Sequence, residues 1–185
     1  AAGNVSTSTT ASVDAAAPTA PGVDLASGTT VTGTAEAGST VTVYDGSVPA
    51  NVIGTAIADS DGDYTITLSP AQTNGSTITV TATDAAGNVS TSTTASVDAA
   101  APNAPTVVAS GTTVTGTAEA GSTVTVYDGS VPANVIGTAI ADSDGDYTIT
   151  LSPAQTNGST ITVTATDAAG NVSTSTTASV DAAAP

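Results

Sequence analysis

The chain has 185 residues and a formal charge of −16, from sixteen Asp and Glu against no Lys, Arg or His, and it also lacks Cys, Met, Trp and Phe. No carboxylate can be answered by an internal salt bridge, so charge compensation falls to solvent or bound cations, and nucleic acid and anionic membrane surfaces are poor partners. Without His, Cys or Lys the usual general bases and activated nucleophiles are missing, and without Trp or Phe a carboxylate-pair hydrolase has no sugar platform, so no catalysis is expected. No apolar run approaches the ~20 residues of a membrane span, and no signal peptide is visible, so the chain reads as a segment of a longer protein. The absence of Cys does not decide the compartment.

Residues 26–102 recur identically as residues 109–185, and residues 1–18 equal residues 85–102 and 168–185. The expected organisation is therefore the C-terminal strand and linker of a preceding repeat (1–18) followed by two repeats, 19–102 and 103–185. The segments "TAPGVDL" (19–25) and "NAPTVV" (103–108) lie between the identical blocks, and Pro at 18, 21, 102 and 105 makes them stiff linkers. Residues 1–14 carry the sequence of a last strand without its domain, which fits either a loose end or a strand donated to a neighbouring subunit.

Within a repeat the apolar period is two. In chain order the first repeat predicts strands A to G near 22–26, 29–35, 39–45, 52–58, 63–68, 76–83 and 90–97. The predicted core is Val31, Val41, Val43, Ile53, Ile57, Tyr64, Ile66, Leu68, Ile78, Val80, Ala82 and Val97, with Thr on the solvated face. The fold class is all-β, as tandem immunoglobulin-like seven-stranded antiparallel β-sandwiches.

The acids fall in turns and linkers. "ADSDGDY" (58–64) begins like an EF-hand loop, but its glycine is fourth rather than sixth, its twelfth position is Pro70, and strands flank it. Followed up and down the sandwich, "AEAG" with Glu36, the turn with Asp59, Asp61 and Asp63, and "TDAAGN" with Asp84 all return to the pole that receives the preceding linker. Asp45 and the strand-ending Asp98 lie at the other pole. The expected junction sets are Asp14 with Glu36, Asp59, Asp61, Asp63 and Asp84, and Asp98 with Glu119, Asp142, Asp144, Asp146 and Asp167. Calcium takes about six to eight oxygen ligands in tolerant geometry, so these sets point to Ca2+ at inter-domain junctions, and a hard-oxygen set without His or Cys argues against zinc or copper. The plain alternative stays open: Asp favours exposed turns with or without a metal.

The motifs "VTGTAEAGSTVTVYD", "GTAIADSDGDYTITL", "ITVTATDAAGNVS" and "VDAAAPNAP" resemble those of bacterial Ig-like tandem repeats in giant, type I-secreted biofilm-associated adhesins, over essentially the whole chain. The resemblance implies an extracellular rod at the bacterial cell surface, stiffened by calcium between domains, that supports adhesion and biofilm formation. By motif position it implies the linker residues Asp14 and Asp98 and the turn residues Asp84 and Asp167 as ligands. "VDAAAP" departs from the more frequent "VDTTAP", losing hydroxyls but keeping the carboxylate. The partners expected are neighbouring repeats of the same chain, with homophilic association as the alternative: a filament built by edge-strand pairing through "TVTVY" and "TITVTAT", or by donation of residues 1–14. The sequons at Asn4, Asn74, Asn88, Asn157 and Asn171 arise readily by chance in so Ser/Thr-rich a chain.

Overall fold

The computed structural model describes residues 13–46, 51–129 and 134–182, and the chain forms two compact units. The first repeat contributes β1 (Leu25–Ala26), β2 (Thr30–Thr34), β3 (Thr40–Asp45), β4 (Val52–Ile57), β5 (Asp63–Thr67), β6 (Thr77–Thr83) and β7 (Thr93–Ser96). The second contributes β8 (Val108–Ala109), β9 (Thr113–Thr117), β10 (Thr123–Asp128), β11 (Val135–Ile140), β12 (Asp146–Thr150), β13 (Thr160–Thr166) and β14 (Thr176–Ser179). Each repeat makes a three-stranded sheet (β1-β2-β5; β8-β9-β12) and a four-stranded one (β4-β3-β6-β7; β11-β10-β13-β14). The fourth strand pairs antiparallel with the third, so residues 58–62 carry the chain from one sheet to the other. The donated-strand expectation falls on residues 1–14, of which residues 1–12 lie outside the described residues.

Alternation along β2, β3, β5 and β6 buries Val31, Val41, Val43, Tyr64, Ile66, Ile78, Val80 and Ala82, with Ile53, Leu68 and Val97 closing the core. Equivalent side chains from Val114 to Val180 form the core of the second repeat. Ile57 is a correction. It is 69% exposed, and Ala58 is buried in its stead. The cause is a register shift in the β3–β4 ladder, where Val43 faces Gly54 but Tyr44 faces Val52, so that Ile53 is an extra residue. A bulge of this kind turns two consecutive residues to the same face and inverts the parity of the strand beyond it. Gly54 fills the second inward position because a Cβ there would collide with Ile66 Cγ2.

A second correction concerns the sheet edges. "TVTVY" is β3 and "TITVTAT" is β6, and both are interior strands whose ladders are occupied on each side. The edges of the sheets are β1, β5, β4 and β7. High β-propensity drew the expectation to the best strand formers, but those are the strands a sandwich places at the centre of its sheet, where both edges are already paired.

The stiff entry segment is fixed by side chains from the core. Tyr64 donates its hydroxyl to Gly22 O at 2.7 Å, and Tyr147 donates to Thr106 O at 2.6 Å. Thr93 Oγ1 donates to Pro21 O at 2.6 Å and Thr176 Oγ1 to Pro105 O at 2.7 Å. Gly22 N–H donates to Thr34 O, and Thr106 N–H to Thr117 O, so the two linkers dock alike although the first is one residue longer. Gly33 and Gly116 permit this close approach, because a Cβ on either would strike the docked carbonyl of Gly22 or Thr106. Burial pushes the phenols of Tyr64 and Tyr147 up to about 12, with Asp24 adding repulsion at Tyr64. At Tyr147 burial alone is the cause, and the corresponding linker "NAPTVV" carries no acid.

This packing sets two expected outcomes. Ile57→Thr changes stability by less than about 0.5 kcal/mol, as an exposed site should, whereas Ile66→Ala costs about 2–5 kcal/mol; urea denaturation of the two variants compares them. The tyrosines set the alkaline limit. Their folded values lie above the ordinary value of 10.0, so their stabilisation is complete below that pH and is lost as pH rises from 10.0 towards about 12. Tyr64→Phe/Tyr147→Phe is less stable at neutral pH through loss of two hydrogen bonds, and its melting temperature falls less steeply across the alkaline window.

Candidate functional site

The two acidic turns of each repeat are one structure built twice. In Asp59–Asp63, the Asp59 N–H donates to Asp63 O at 2.9 Å and Gly62 N–H returns to Asp59 O at 3.1 Å. Asp59 Oδ1 accepts from the N–H groups of Asp61 and Asp63, both at 2.9 Å. In Asp84–Asn88, Asp84 N–H donates to Asn88 O at 3.1 Å, Gly87 N–H donates to Asp84 O at 3.2 Å, and Asp84 Oδ1 accepts from Ala86 at 2.9 Å and Asn88 at 2.8 Å. Both are therefore D-x-x-G-x turns. The first aspartate satisfies two backbone donors, and the fourth residue needs the left-handed conformation of Gly62 (φ 89°) and Gly87 (φ 91°). Asp142–Asp146 repeats the first pattern, with Asp142 Oδ1 accepting from Asp144 at 3.0 Å and Asp146 at 2.9 Å.

Strand registers bring the turns to one pole of the repeat. Thr40 faces both Ile57 and Thr83, and Thr34 faces Asp63. The Glu36 turn is tied to the Asp59 turn through Ala35 N–H to Gly62 O at 2.8 Å and Gly38 N–H to Ala58 O at 2.9 Å. In the second repeat Glu119 stands in the same relation, with Ala118 N–H donating to Gly145 O at 2.9 Å. Asp45 lies at the other end of β3, accepting from Asn51 N–H at 3.2 Å and from its Nδ2 at 3.3 Å.

The linker meets this pole at an asparagine. Asn88 Nδ2 lies 2.8 Å from Asp84 Oδ2, 3.2 Å from Asp14 O and 3.4 Å from Ala16 O. Asn171 Nδ2 lies 2.9 Å from Asp167 Oδ2 and 3.2 Å from Asp98 O. Around Asn88 three oxygens thus surround one amide nitrogen that has only two hydrogens to give. The linker aspartates close small turns of their own: Asp14 Oδ1 accepts from Ala16 N–H and Asp98 Oδ1 from Ala100 N–H, each at 3.1 Å.

Of the twelve acids expected as ligands, the structure joins Asp14 to Asp84, and Asp98 to Asp167, through an asparagine amide rather than directly. Asp59, Asp61 and Asp63 share one turn, as do Asp142, Asp144 and Asp146, each beside the Glu36 or Glu119 turn. Among the described residues no group of three or more His, Cys, Asp or Glu lies close enough to hold a metal ion. Counting acids missed Asn88 and Asn171. Their signal was the alignment of "DSDGD" with "DAAGN", where asparagine stands at the closing position of the second turn. Among the described residues of the second repeat, open surface clefts lie beside single acids, one of them beside Asp146 and Tyr147. One of about 260 Å³ is lined by Asn103, Ala104, Thr117, Ala118 and Glu119, and another of about 450 Å³ includes Ser110, Gln155 and Asp181.

The Asn88 amide holds the Asp84 carboxyl below its ordinary value; residual desolvation opposes this, and the N–H groups of Asn88, Ala86 and Gly87 reinforce it. A depressed folded value means that the carboxylate's stabilisation is present above the ordinary 3.8 and is lost as pH falls through the folded value. Asp84→Ala accordingly lowers the melting temperature at neutral pH, and the gap between variant and parent narrows as pH falls below 3.8; melts across acid pH check both.

The family model described as "Bacterial Ig domain" matches residues 17–99 and again residues 100–182. No curated protein matches. Among solved structures, the BSP domain of a biofilm-associated protein is similar at 24% identity and a TM-score of 0.40, over 89% of this chain and 30% of that one. The FN1-FN3 domains of chicken CNTN1 are similar at 16% identity and a TM-score of 0.48, over 90% of this chain and 69% of that one. The fibronectin(III)-like modules of Clostridium thermocellum CbhA are similar at 20% identity and a TM-score of 0.39, over 91% and 90%.

Proposed function

Because the chain belongs to the bacterial Ig domain family, we propose that it is a spacer: non-catalytic repeats of an extracellular bacterial surface adhesin, arranged in series as a rod that supports adhesion and biofilm formation. The observation that carries this reading is the identity of residues 26–102 with 109–185, outer faces and turns included. Two copies identical in sequence extend the chain by one repeated unit, which suits a spacer, and each carries the same "TDAAGN" turn and "VDAAAP" exit.

Calcium is the proposed stiffener of those joints. The donor chemistry fits a hard cation: Asp84 Oδ2 and the carbonyls of Asp14 and Ala16 already converge on one point, now taken by the Asn88 amide. Asp14 and Asp84 would hold the ion in the first repeat, and Asp98 and Asp167 in the second. Glu36, Asp59, Asp61 and Asp63, with Glu119, Asp142, Asp144 and Asp146, supply the surrounding negative field. A bound ion would supply the positive charge that the chain lacks. Homophilic association is the second reading. It is favoured by β4, an edge strand without charge on which Val52 is 55% and Ile57 69% exposed.

Scattering and thermal melting in excess chelator and in millimolar calcium test the joint. The expected result is a longer maximum dimension and a higher melting temperature with calcium, a site at a hundred times its dissociation constant adding about 2.7 kcal/mol. Identical curves in the two conditions would remove calcium and leave the spacer reading standing. A concentration series in high salt, where screening weakens charge repulsion, tests association: a constant mass sinks the second reading.

A further inference from the structure

We propose that Asn74–Gly75 and Asn157–Gly158 are latent deamidation sites, locked by the fold and released when the end of the last strand of their repeat lifts away. The proposal is independent of the spacer reading. The chain has eight asparagines, at 4, 51, 74, 88, 103, 134, 157 and 171, and only Asn74 and Asn157 precede glycine; Val follows five of the others and Ala follows one. In the reaction the backbone nitrogen of the next residue attacks Asn Cγ. The new C–N bond forms as the Cγ–Nδ2 bond breaks, ammonia leaves with the backbone proton, and a five-membered succinimide remains. Water then opens either carbonyl of the ring, giving aspartate or the β-linked isoaspartate. A β-branched neighbour obstructs the attack and glycine does not, so the chain carries its own slow controls. Asparagine lability of this kind is a recurrent weakness of proteins kept warm.

The fold ties down both reacting groups of each site, and both to one short segment. Gly75 N–H, the nucleophile, donates to Val97 O at 2.8 Å. Asn74 Oδ1, on the carbon to be attacked, accepts from Ala99 N–H at 3.0 Å. The second repeat has the same pair: Gly158 N–H to Val180 O at 2.8 Å and Asn157 Oδ1 to Ala182 N–H at 3.0 Å. A nitrogen whose hydrogen is engaged is not deprotonated for attack, and an amide held at its oxygen cannot rotate onto that nitrogen. The face of the turn on which a Cβ of Gly75 or Gly158 would stand is open space. The lock is therefore residues 97–99 and 180–182, which start at the core residues Val97 and Val180 and run out to the less buried Ala99 and Ala182, so the contact to the asparagine is the part that opens first and the contact to the glycine the part the core holds.

The two products differ in consequence. Aspartate keeps an acceptor for Ala99 N–H. Isoaspartate inserts an extra backbone carbon before Gly75, whose φ of 78° and bond to Val97 O define the turn. A repeat that has opened and reacted through the β-linked route cannot close its loop in the same register, so each such opening leaves a covalent record.

Incubation of the full chain at mildly alkaline pH, native and in denaturant, with peptide mapping over time, reads the rates. The expected result is that Asn74 and Asn157 react far ahead of Asn51, Asn88, Asn134 and Asn171 in denaturant, and at least about tenfold more slowly in the native chain, the factor for an opening of about 1.4 kcal/mol. Equal native and denatured rates at Asn74 and Asn157 would overturn the proposal. Ala99→Pro removes the N–H that holds Asn74 and leaves Ala182 in place. Native deamidation at Asn74 should then rise severalfold with Asn157 unchanged, and no rise at Asn74 would overturn the role of that contact. A rise at both sites would mark wider unfolding by the substitution, and the native-to-denatured ratio of the parent chain then decides.

Discussion

A carboxylate in this chain has no cationic side chain to answer it, and the local structure is arranged around that constraint. Sixteen acids share the molecule with no Lys, Arg or His, so the only donors available are peptide N–H groups, hydroxyls and amide side chains. The D-x-x-G-x turn is the recurring solution. One aspartate oxygen accepts two backbone hydrogens, and a left-handed glycine lets the chain close around it. Because the turn neutralises its own first acid partly with backbone dipoles, it can sit at the end of a sandwich beside other acidic turns. The same need explains why acids avoid the strand interiors, where a side chain meets neither enough water nor enough donors.

Much of the fold was legible from period two alone. Valines and isoleucines at alternate positions fixed the faces of β2, β3, β5 and β6, because a strand of half-buried pleat leaves no other way to hide them. The reading failed where the backbone departed from regular pleating. Ile57 shares its spacing with Ile53, and no residue between them announces a bulge except Gly54, which alternation treats as a neutral position. The glycine was the signal: only a residue without Cβ fits against Ile66 and Thr67 O at that place. The edges were misjudged for a different reason. Strand propensity reports how well a segment pairs, not how many partners it has, so "TVTVY" and "TITVTAT" read as open strands although they hold the sheet's centre.

The site was less legible than the fold. Tracing the chain up and down correctly returned three turns to one pole, since strand count alone dictates it. It could not say which oxygens were already spent. Asp59 and Asp84 look like equal ligands to Asp61 in the sequence, yet each has one oxygen committed to two peptide hydrogens. The differences between linkers are as informative as the repeats' identity. An extra residue near Leu25 is absorbed without disturbing the contacts of Gly22 and Thr34, because these depend on Tyr64, Thr93 and Gly33, which lie inside the identical block. Linker sequence can thus vary while its docking is the same in the two copies.

Asparagine at the closing position of the second turn completes this logic. An aspartate at 88 would face Asp84 Oδ2 and two linker carbonyls, and four negative or partly negative oxygens would crowd one point. An amide at that point brings two N–H donors where a hydroxyl would bring one, in a chain without Lys or Arg. Its two hydrogens are shared among three oxygens. The linker is therefore held at this pole by a neutral donor shared among one carboxylate and two carbonyls, in a chain that has no charged donor to put there.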